Sequence, residues 1–472
     1  MNPSAPLHRD DRPEARSLLE VSKKLYPRAV SGVFARWRWA LVWATQLVFY
    51  GLPWISWNER QAVLFDLAAR RFHIFGLVLH PQDFIYLTAL LVLSAMSLFL
   101  FTTVAGRLWC GYACPQTVYT EIFLWIERRI EGDRARRMKL DASPWTVQKF
   151  RKKALKHAAW LAVALWTGIT FVGYFTPIRG MLGQVASFSL GPWQLFWILF
   201  YGFATYGNAG FLREQVCKYM CPYARFQGVM FDNDTWVITY EPARGEPRGP
   251  RSKKKAVEGQ GDCIDCSLCV QVCPTGIDIR DGQQYECIGC AACIDACDQV
   301  MEKVGSPKGL IRYDTLNGMQ NGWSRAQLWK RVFRPRIIIY TIILWSVMGV
   351  LVGHIATRMP VKLDVMRDRG ALSREVKNGV IENVYRLNVI NSAEVERTFR
   401  VSVSGLPTLS IDTEDTIDLG PATNRTVALR VRAEPDAGEA GSNRIEVKVE
   451  AMDDPSIHES AKTSFFLPEP IQ

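Results

Sequence analysis

Eight of the twelve cysteines lie between Cys263 and Cys297, in the stretch CIDCSLCVQVCPTGIDIRDGQQYECIGCAACIDAC. They form two runs of one spacing, C-x2-C-x2-C-x3-C. The first is Cys263, Cys266, Cys269 and Cys273; the second is Cys287, Cys290, Cys293 and Cys297. This is the thiolate spacing that holds a [4Fe–4S] cluster. Four soft thiolates also suit zinc, but zinc knuckles rarely place three cysteines at x2 spacing before x3-C-P. A disulfide framework is a poor reading, because no cysteine falls in the last third of the chain. A segment with so little apolar sequence draws its cohesion from metal–sulfur bonds, by analogy with structural metal sites.

Where two such runs occur together, the fourth cysteine of each ligates the other cluster. One cluster is then expected on Cys263, Cys266, Cys269 and Cys297, and the other on Cys287, Cys290, Cys293 and Cys273. The second run ends Cys297-Asp298 rather than Cys-Pro, which weakens the turn signal and removes no ligand.

The other four cysteines repeat a different pattern. RLWCGYACPQTVYTEIF carries Cys110 and Cys114 before Pro115, and REQVCKYMCPYARFQGVM carries Cys217 and Cys221 before Pro222. Positions i and i+4 share a helix face, and proline after the second cysteine requires that a helix break there or begin anew. One such pair reads as inert buried thiols. Two at matching places read as a shared redox or soft-metal site, such as one for Cu(I).

Each pair follows an apolar stretch long enough to cross a bilayer. Spans are expected near Trp37–Trp54, Phe84–Val104, His157–Phe175, Phe188–Tyr206 and Ile337–Ala356. Gln61–His80 mixes apolar residues with Asp66, Arg70 and Arg71 and reads as an amphipathic helix on the membrane surface. Ile122–Ile126 is too short to span and reads as part of a helix at that surface. His73, His80 and His354 are read as polar residues near the interface; the sharper alternatives are metal, haem or quinone ligation for His73 and His80, and a ligand or proton carrier for His354.

Lys and Arg set the orientation. The chain before the first span carries seven and the 105–157 loop twelve, against three in 55–83 and one in 176–187. The positive-inside rule places the N-terminus, both C-x3-C-P pairs and the cluster segment in the cytoplasm. Although the net charge is +11, the basic residues flank apolar spans and no nucleic-acid-binding signature appears. After the fifth span, short alternating segments such as YRLNVIN, RTFRVSVSG and NRIEVKVEAMD read as about seven strands of an immunoglobulin-like sandwich. With an odd number of spans it lies in the periplasm. It holds no cysteine and one histidine, His458, so it reads as a docking domain.

The expected fold is therefore a multi-pass α-helical membrane protein of about five spans, with an inserted cytoplasmic two-cluster ferredoxin-like domain and a C-terminal all-β immunoglobulin-like periplasmic domain. The divisions are a polar N-terminus (1–30), a four-span membrane domain with the two pairs (31–240), a linker (241–260), the two-cluster domain (261–310), an approach segment and fifth span (311–357), and the sandwich (358–472).

The two C-x3-C-P stretches, the two ferredoxin runs, the last span and the outer β-domain resemble the FixG/CcoG/RdxA family, accessory proteins of cbb-type cytochrome c oxidase. The resemblance covers nearly the whole chain. It implies a protein of the bacterial inner membrane, bearing two [4Fe–4S] clusters, that reduces Cu(II) to Cu(I) for assembly of the haem–copper oxidase. Cys110, Cys114, Cys217 and Cys221 would then hold or reduce copper as substrate or transient ligand, and the eight ferredoxin cysteines would supply single electrons. Implied partners are membrane lipids, the oxidase or its copper ATPase or chaperone, a cytoplasmic electron donor, and a second copy of the chain as a homodimer; nucleic acid is not among them. Two alternatives stand beside this: a quinol- or donor-linked membrane electron relay without a copper role, and a pure assembly scaffold.

Overall fold

The computed structural model describes residues 24–250 and 259–468, apart from 369, 371, 377 and 378. Residues 1–23 of the expected polar N-terminus and the basic run 251–255 lie outside the described residues.

In chain order, α1 (Val33–Gly51) leads to five short strands: β1 (Ser56–Trp57), β2 (Arg60–Gln61), β3 (Val63–Asp66), β4 (Arg71–Ile74) and β5 (Leu77–Leu79). Helices α2 (Phe84–Ala105), α3 (Leu108–Tyr112), α4 (Pro115–Glu131), α5 (Arg134–Ala142), α6 (Val147–Val172), α7 (Ile178–Ala186) and α8 (Pro192–Gly207) follow. Two π-helical turns, Asn208–Leu212 and Val216–Met220, precede α9 (Pro222–Met230), β6 (Val237–Tyr240) and α10 (Pro242–Gly245). Then come α11 (Leu268–Val272), α12 (Ala292–Val304), β7 (Ile311–Asp314), α13 (Leu316–Asn321), α14 (Arg325–Val332) and α15 (Pro335–Ala356). The last nine strands are β8 (Val361–Arg367), β9 (Arg374–Glu375), β10 (Ile381–Asn391), β11 (Arg397–Ser404), β12 (Ser410–Ile411), β13 (Thr416–Leu419), β14 (Asn424–Ala433), β15 (Gly441–Ala451) and β16 (His458–Leu467).

Among the described residues, four helical stretches are long and apolar enough to cross a membrane: Pro81–Ala105, Val147–Val172, Pro192–Leu212 and Pro335–Ala356. The protein is thus read as multi-pass. The first expected span is helical as α1, but it falls short of the measure that the other four meet. Arg36 and Arg38 occupy its first turns, and Trp, Tyr and Gln dilute the rest. Helix α6 starts well before His157, so the basic stretch Lys149–Lys156 forms its first turns rather than a loop.

The chain divides into two compact units. One comprises Met1–Trp43, Phe101–Val163 and Ala204–Phe333; the other comprises Ala44–Leu100, Ala164–Phe203 and Arg334–Gln472. In the first, residues 24–28 are bound rather than loose. Tyr26 Oη donates to Asp141 Oδ2 at 2.7 Å, Arg137 to the Pro27 carbonyl at 2.6 Å, and the Arg28 N–H to the Gln271 carbonyl at 2.8 Å. Helix α4 buries Phe123, Leu124 and Ile126 in protein and leaves Trp125 of the same segment exposed. The cluster module reaches beyond 261–310. Strands β6 and β7 pair antiparallel, Val237 to Asp314 through Tyr240 to Ile311, and Ile238, Tyr240, Leu310 and Ile311 join its core. Residues 244–250 are attached as well, for Arg244 donates to Asp262 Oδ2 at 2.6 Å and Gly249 to the Cys263 carbonyl at 3.0 Å.

In the second unit, Gln61–His80 is not a surface helix. Strands β3, β4 and β5 form an antiparallel meander, preceded by the β1–β2 hairpin. Its segments VLFD, RFHI and LVL are β-branched and aromatic, and Arg70 (φ 55°) and Phe75 (φ 52°) turn the chain through left-handed backbone between them. After α15, all strand pairs are antiparallel. One sheet runs β12-β14-β10-β8 with β9 beside β10, and the other runs β13-β11-β15-β16. Their facing residues, among them Tyr385, Leu387, Phe399, Val431, Val447 and Phe465, form one core.

Candidate iron–sulfur and thiol site

The two ferredoxin runs have the same backbone. In the first, left-handed residues stand at Asp265 (φ 52°) and Ser267 (φ 53°); in the second, at Gly289 (φ 68°) and Ala291 (φ 58°). These are equivalent positions, two after the first cysteine and one after the second. Strained left-handed backbone at three non-glycine residues persists where surrounding structure demands it. Alternating left-handed turns gather N–H groups into a concavity that favours negative charge. Gly289 and Ala292 N–H groups serve the Cys287 and Cys290 thiols in this way.

Two small cavities lie inside the module. One is lined by Cys263, Cys266, Cys269 and Cys297, with Ile264, Leu268, Val300, Met301, Leu310 and Ile311 as apolar wall. The other is lined by Cys273, Cys287, Cys290 and Cys293, together with Cys269, Ile238, Ile277, Ile279 and Ile288. The fourth cysteine of each run thus faces the cavity of the other run. Soft thiols around a dry, apolar hollow fit an iron–sulfur cluster. Helix α12 continues through Cys297 to Val304 and ends at Gly305 (φ 74°), whereas α11 stops before Cys273-Pro274. No turn is made at Cys297, which accounts for Asp298 in place of proline there. Asp298 instead accepts the Gly309 N–H at 2.9 Å.

The C-x3-C-P stretches are equally alike. Cys114 (φ −61°, ψ 128°) and Cys221 (φ −78°, ψ 111°) are extended residues that cap α4 and α9, and Pro115 and Pro222 open those helices. Gln227 of α9 touches the Cys110 thiol at 3.4 Å, which draws the second stretch to the first. The four thiols are within electrostatic reach of one another. Burial pushes Cys110 up to about 11 and Cys217 up to about 12, and it raises Cys114 too. As free thiols they stay protonated at neutral pH; a bound metal would displace those protons.

Both stretches are fastened to the cluster module. A side chain at Gly111 would strike the Cys290 backbone, since its Cβ would come within 2.9 Å of Cys290 Cα. Cys110 and Cys217 pack on the apolar group that contains Cys290, Ile288 and Val272. Lys218 Nζ donates to the Thr275 carbonyl at 2.8 Å, and Tyr285 Oη donates to the Lys218 carbonyl. Arg38 donates to the Cys290 carbonyl at 2.8 Å. Cys290 is buried, whereas Cys266 at the other cavity is exposed. The module therefore has a buried end beside the four thiols and an open end at Cys266.

Among the described residues, no three His, Cys, Asp or Glu side chains converge on a single ion-sized point. A multi-iron cluster keeps its ligands apart around a hollow, whereas one copper ion needs them drawn together. The arrangement at the eight cysteines is of the first kind, and no preformed copper site is evident at the other four. The histidines singled out in the sequence lie away from the cysteines. His354 Nδ1 shares a 2.8 Å hydrogen bond with Tyr86 Oη. His73 is buried on β4, and burial holds His80 neutral down to about 4.

Residues 212–316 match the family described as a 4Fe-4S dicluster domain, 87–132 a 4Fe-4S binding domain, and 351–468 the IG-like fold at the C-terminal of FixG. The chain is 39% identical over 454 residues to the Nitrogen fixation protein FixG of Rhizobium meliloti, covering 89% of this chain and 85% of that protein. It belongs to the FixG/RdxA/RdxB family. Protein RdxA of Cereibacter sphaeroides is 40% identical, with 86% and 88% covered, and Protein RdxB of the same organism is 40% identical, with 89% and 90% covered. A crystal structure of a FixG-related protein from Vibrio parahaemolyticus matches 24% of this chain and 98% of its own length, at 23% identity and a TM-score of 0.22. Membership makes the protein an iron–sulfur redox protein.

Sequence reasoning missed the polar brace behind the thiols. Glu127 of α4 is 1% exposed and bonds Arg213 at 2.8 Å and Arg137 at 2.9 Å. Burial works to raise its carboxyl, but Arg213, Arg137 and Lys156 outweigh that, so it sits below its ordinary value. Arg213 (φ 40°) is a strained, buried residue between the two π turns, and π turns mark functional sites often enough to be noted. Gln116 holds this bend by donating to the Asn208 and Arg213 carbonyls at 2.9 and 3.0 Å. Nothing local in NAGFLREQ announces it.

Proposed function

We propose that the protein is a membrane-anchored iron–sulfur relay that moves single electrons between the open Cys266 end of its cluster module and the four C-x3-C-P thiols. Cys263, Cys266, Cys269 and Cys297 hold one [4Fe–4S] cluster, and Cys273, Cys287, Cys290 and Cys293 the other. The observation that carries the reading is the pair of cavities, each lined by three cysteines of one run and the fourth of the other. When bound, the clusters supply one-electron chemistry. The chain's own part is to keep the hollow dry, to direct N–H groups at the thiolates, and to pin Cys110 and Cys217 against the Cys290 loop.

A second reading is favoured by the meeting of four soft thiols at that buried end. Copper would be drawn there as substrate, reduced from Cu(II) to Cu(I) by one electron, and passed on for assembly of a cbb-type oxidase. Both readings place the N-terminus and clusters in the cytoplasm and the β-domain in the periplasm, with α1 as a fifth span; the distribution of Lys and Arg supports this.

One experiment separates them. Protein purified anaerobically should carry about eight irons per chain, as two four-iron clusters require. After reduction with dithionite it is mixed with Cu(II) and, separately, with a ferric chelate. Cluster reoxidation by copper that disappears in Cys110→Ser and Cys217→Ser, while the ferric rate is kept, supports the copper reading. Equal rates in all variants leave the relay alone, and iron content near zero would sink both.

A further inference from the structure

A cavity of about 420 Å³ lies in the first unit, lined by Lys156, His157, Trp160, Phe211, Arg213 and Glu214. A close-packed interior does not leave that much room, and the volume is in the range of small-ligand sites. Its rings form a box. His157 and Phe211 are near-parallel (15°) at 6.0 Å, and Trp160 stands across both, at 83° and 82° and at 5.3 and 6.2 Å. Tyr206 Oη bonds His157 Nδ1 at 2.9 Å. Trp160 is fixed by its 3.2 Å bond to the Phe123 carbonyl. Helix α6 and the stretch 192–212, both long and apolar enough to span a bilayer, supply part of its walls.

The basic residues at the rim share acidic partners: Arg213 pairs with Glu127 at 2.8 Å, and Lys156 and Lys153 pair with Glu131 at 3.1 and 2.9 Å. Glu214 is different. Burial raises its carboxyl above the ordinary value despite Arg213 and Lys218. Arg213 and Glu214 also line a second, smaller cavity that reaches Cys217 and Cys290. The two hollows meet at the strained bend between the π turns.

We propose that the larger cavity binds the ring of a membrane quinol, and that Glu214 and His157 take its protons while its electrons leave past Cys217 toward the Cys290 loop. This rests on the relay reading and names its donor. Oxidation of the quinol to the quinone breaks two O–H bonds and releases two electrons and two protons. The oxidants would be the two [4Fe–4S] clusters that the eight ferredoxin cysteines would hold, each taking one electron. One proton goes to the Glu214 carboxylate. The other goes to His157 Nε2, in the tautomer whose Nδ1–H donates to Tyr206. A two-electron donor beside a module with two one-electron centres is balanced.

The test uses the full-length, cluster-loaded protein in detergent, with decylubiquinone for binding, an azidoquinone for photolabelling and decylubiquinol for reduction. Saturable binding is expected, with label in residues 156–160 or 208–215. Phe211→Ala, at an exposed position, should weaken binding about tenfold by removing one ring of the box. Glu214→Gln should bind within about threefold but slow cluster reduction by the quinol about a hundredfold, the worth of a positioned base. Dithionite should reduce both variants fully. No saturable binding, label elsewhere, or unchanged binding by Phe211→Ala overturns the site; wild-type reduction by Glu214→Gln overturns the proton role. Clusters reducible by dithionite in a protein that binds no quinone would sink this inference and leave the relay standing, whereas clusters that nothing reduces would sink the relay.

Discussion

The cluster module and the C-terminal β-domain are held together by different means. The β-domain buries nineteen apolar residues between its two sheets and contains no cysteine. The module's main core has eleven buried residues, two of them the ligand candidates Cys263 and Cys269, and its centre is two hollows. Hydrophobic burial alone accounts for the first region. It does not account for the second, where cysteines and apolar side chains line two hollows and left-handed backbone is imposed on Asp265, Ser267 and Ala291. One region is held by its own apolar core; the other is organised around two cysteine-lined hollows.

Four measurements can break or sharpen that contrast. The largest effect is expected from Cys290→Ser. It should remove ligation worth on the order of 10 kcal/mol, by analogy with structural metal sites, so that iron and sulfide fall by half or more and protease cuts the module. The β-domain's own thermal transition should be unmoved; if it collapsed as well, the two regions would not be separable. Phe399→Ala should do the reverse. Phe399 is fully buried between Ile417 and Ala451, and its loss should cost about 4 kcal/mol, read as a lower transition with unchanged iron.

Glu127→Ala should cost roughly 3 kcal/mol, because it leaves Arg137 and Arg213 buried without their partner. The sign with pH follows from the lowered carboxyl. A group depressed on folding stabilises above its unfolded value, and that stability is lost as pH falls through the folded value. Acid unfolding of the first unit should therefore begin in or below the ordinary carboxylate range, and Glu127→Gln should flatten that limb. Thr315→Ala has the smallest expected effect. Thr315 Oγ1 accepts the Gly318 N–H at 2.9 Å at the start of α13, and a lost cap costs about 1 kcal/mol. A shift in thermal transition without any change in the iron–sulfur spectrum would place it outside the site.

Much of this was legible in the residues. Cysteine spacing pointed to the cluster module, and C-x3-C-P pointed to a helix that breaks or begins anew at the proline; α4 and α9 begin at Pro115 and Pro222. Alternation along YRLNVIN and NRIEVKVEAMD pointed to strands, and both are strands, β10 and β15. The failures share a cause. Gln61–His80 mixes charged with apolar residues as an amphipathic helix does, yet its strands β3, β4 and β5 are three or four residues long, too short for periodicity to declare them. The module boundary at 261 came from cysteines alone, although β6 lies outside the cysteine stretch and pairs with β7 across some seventy residues. The basic run before His157 looked like a loop because charge was weighed over helix propensity, and Lys and Arg are good helix formers.

By itself, the sequence determined what each stretch can be: thiolate spacing sets which cysteines can ligate a cluster, apolar length sets which helices can cross a membrane, and period-two patterning sets the strands. Those are properties of neighbours along the chain. Only the tertiary structure decided that Cys110 and Cys217 rest on the Cys290 loop, and that Glu127 bridges Arg137 and Arg213. It alone placed Glu214 between two cavities. Those meetings join residues up to about 180 positions apart, and they depend on where helices break and turn, which no local pattern encodes.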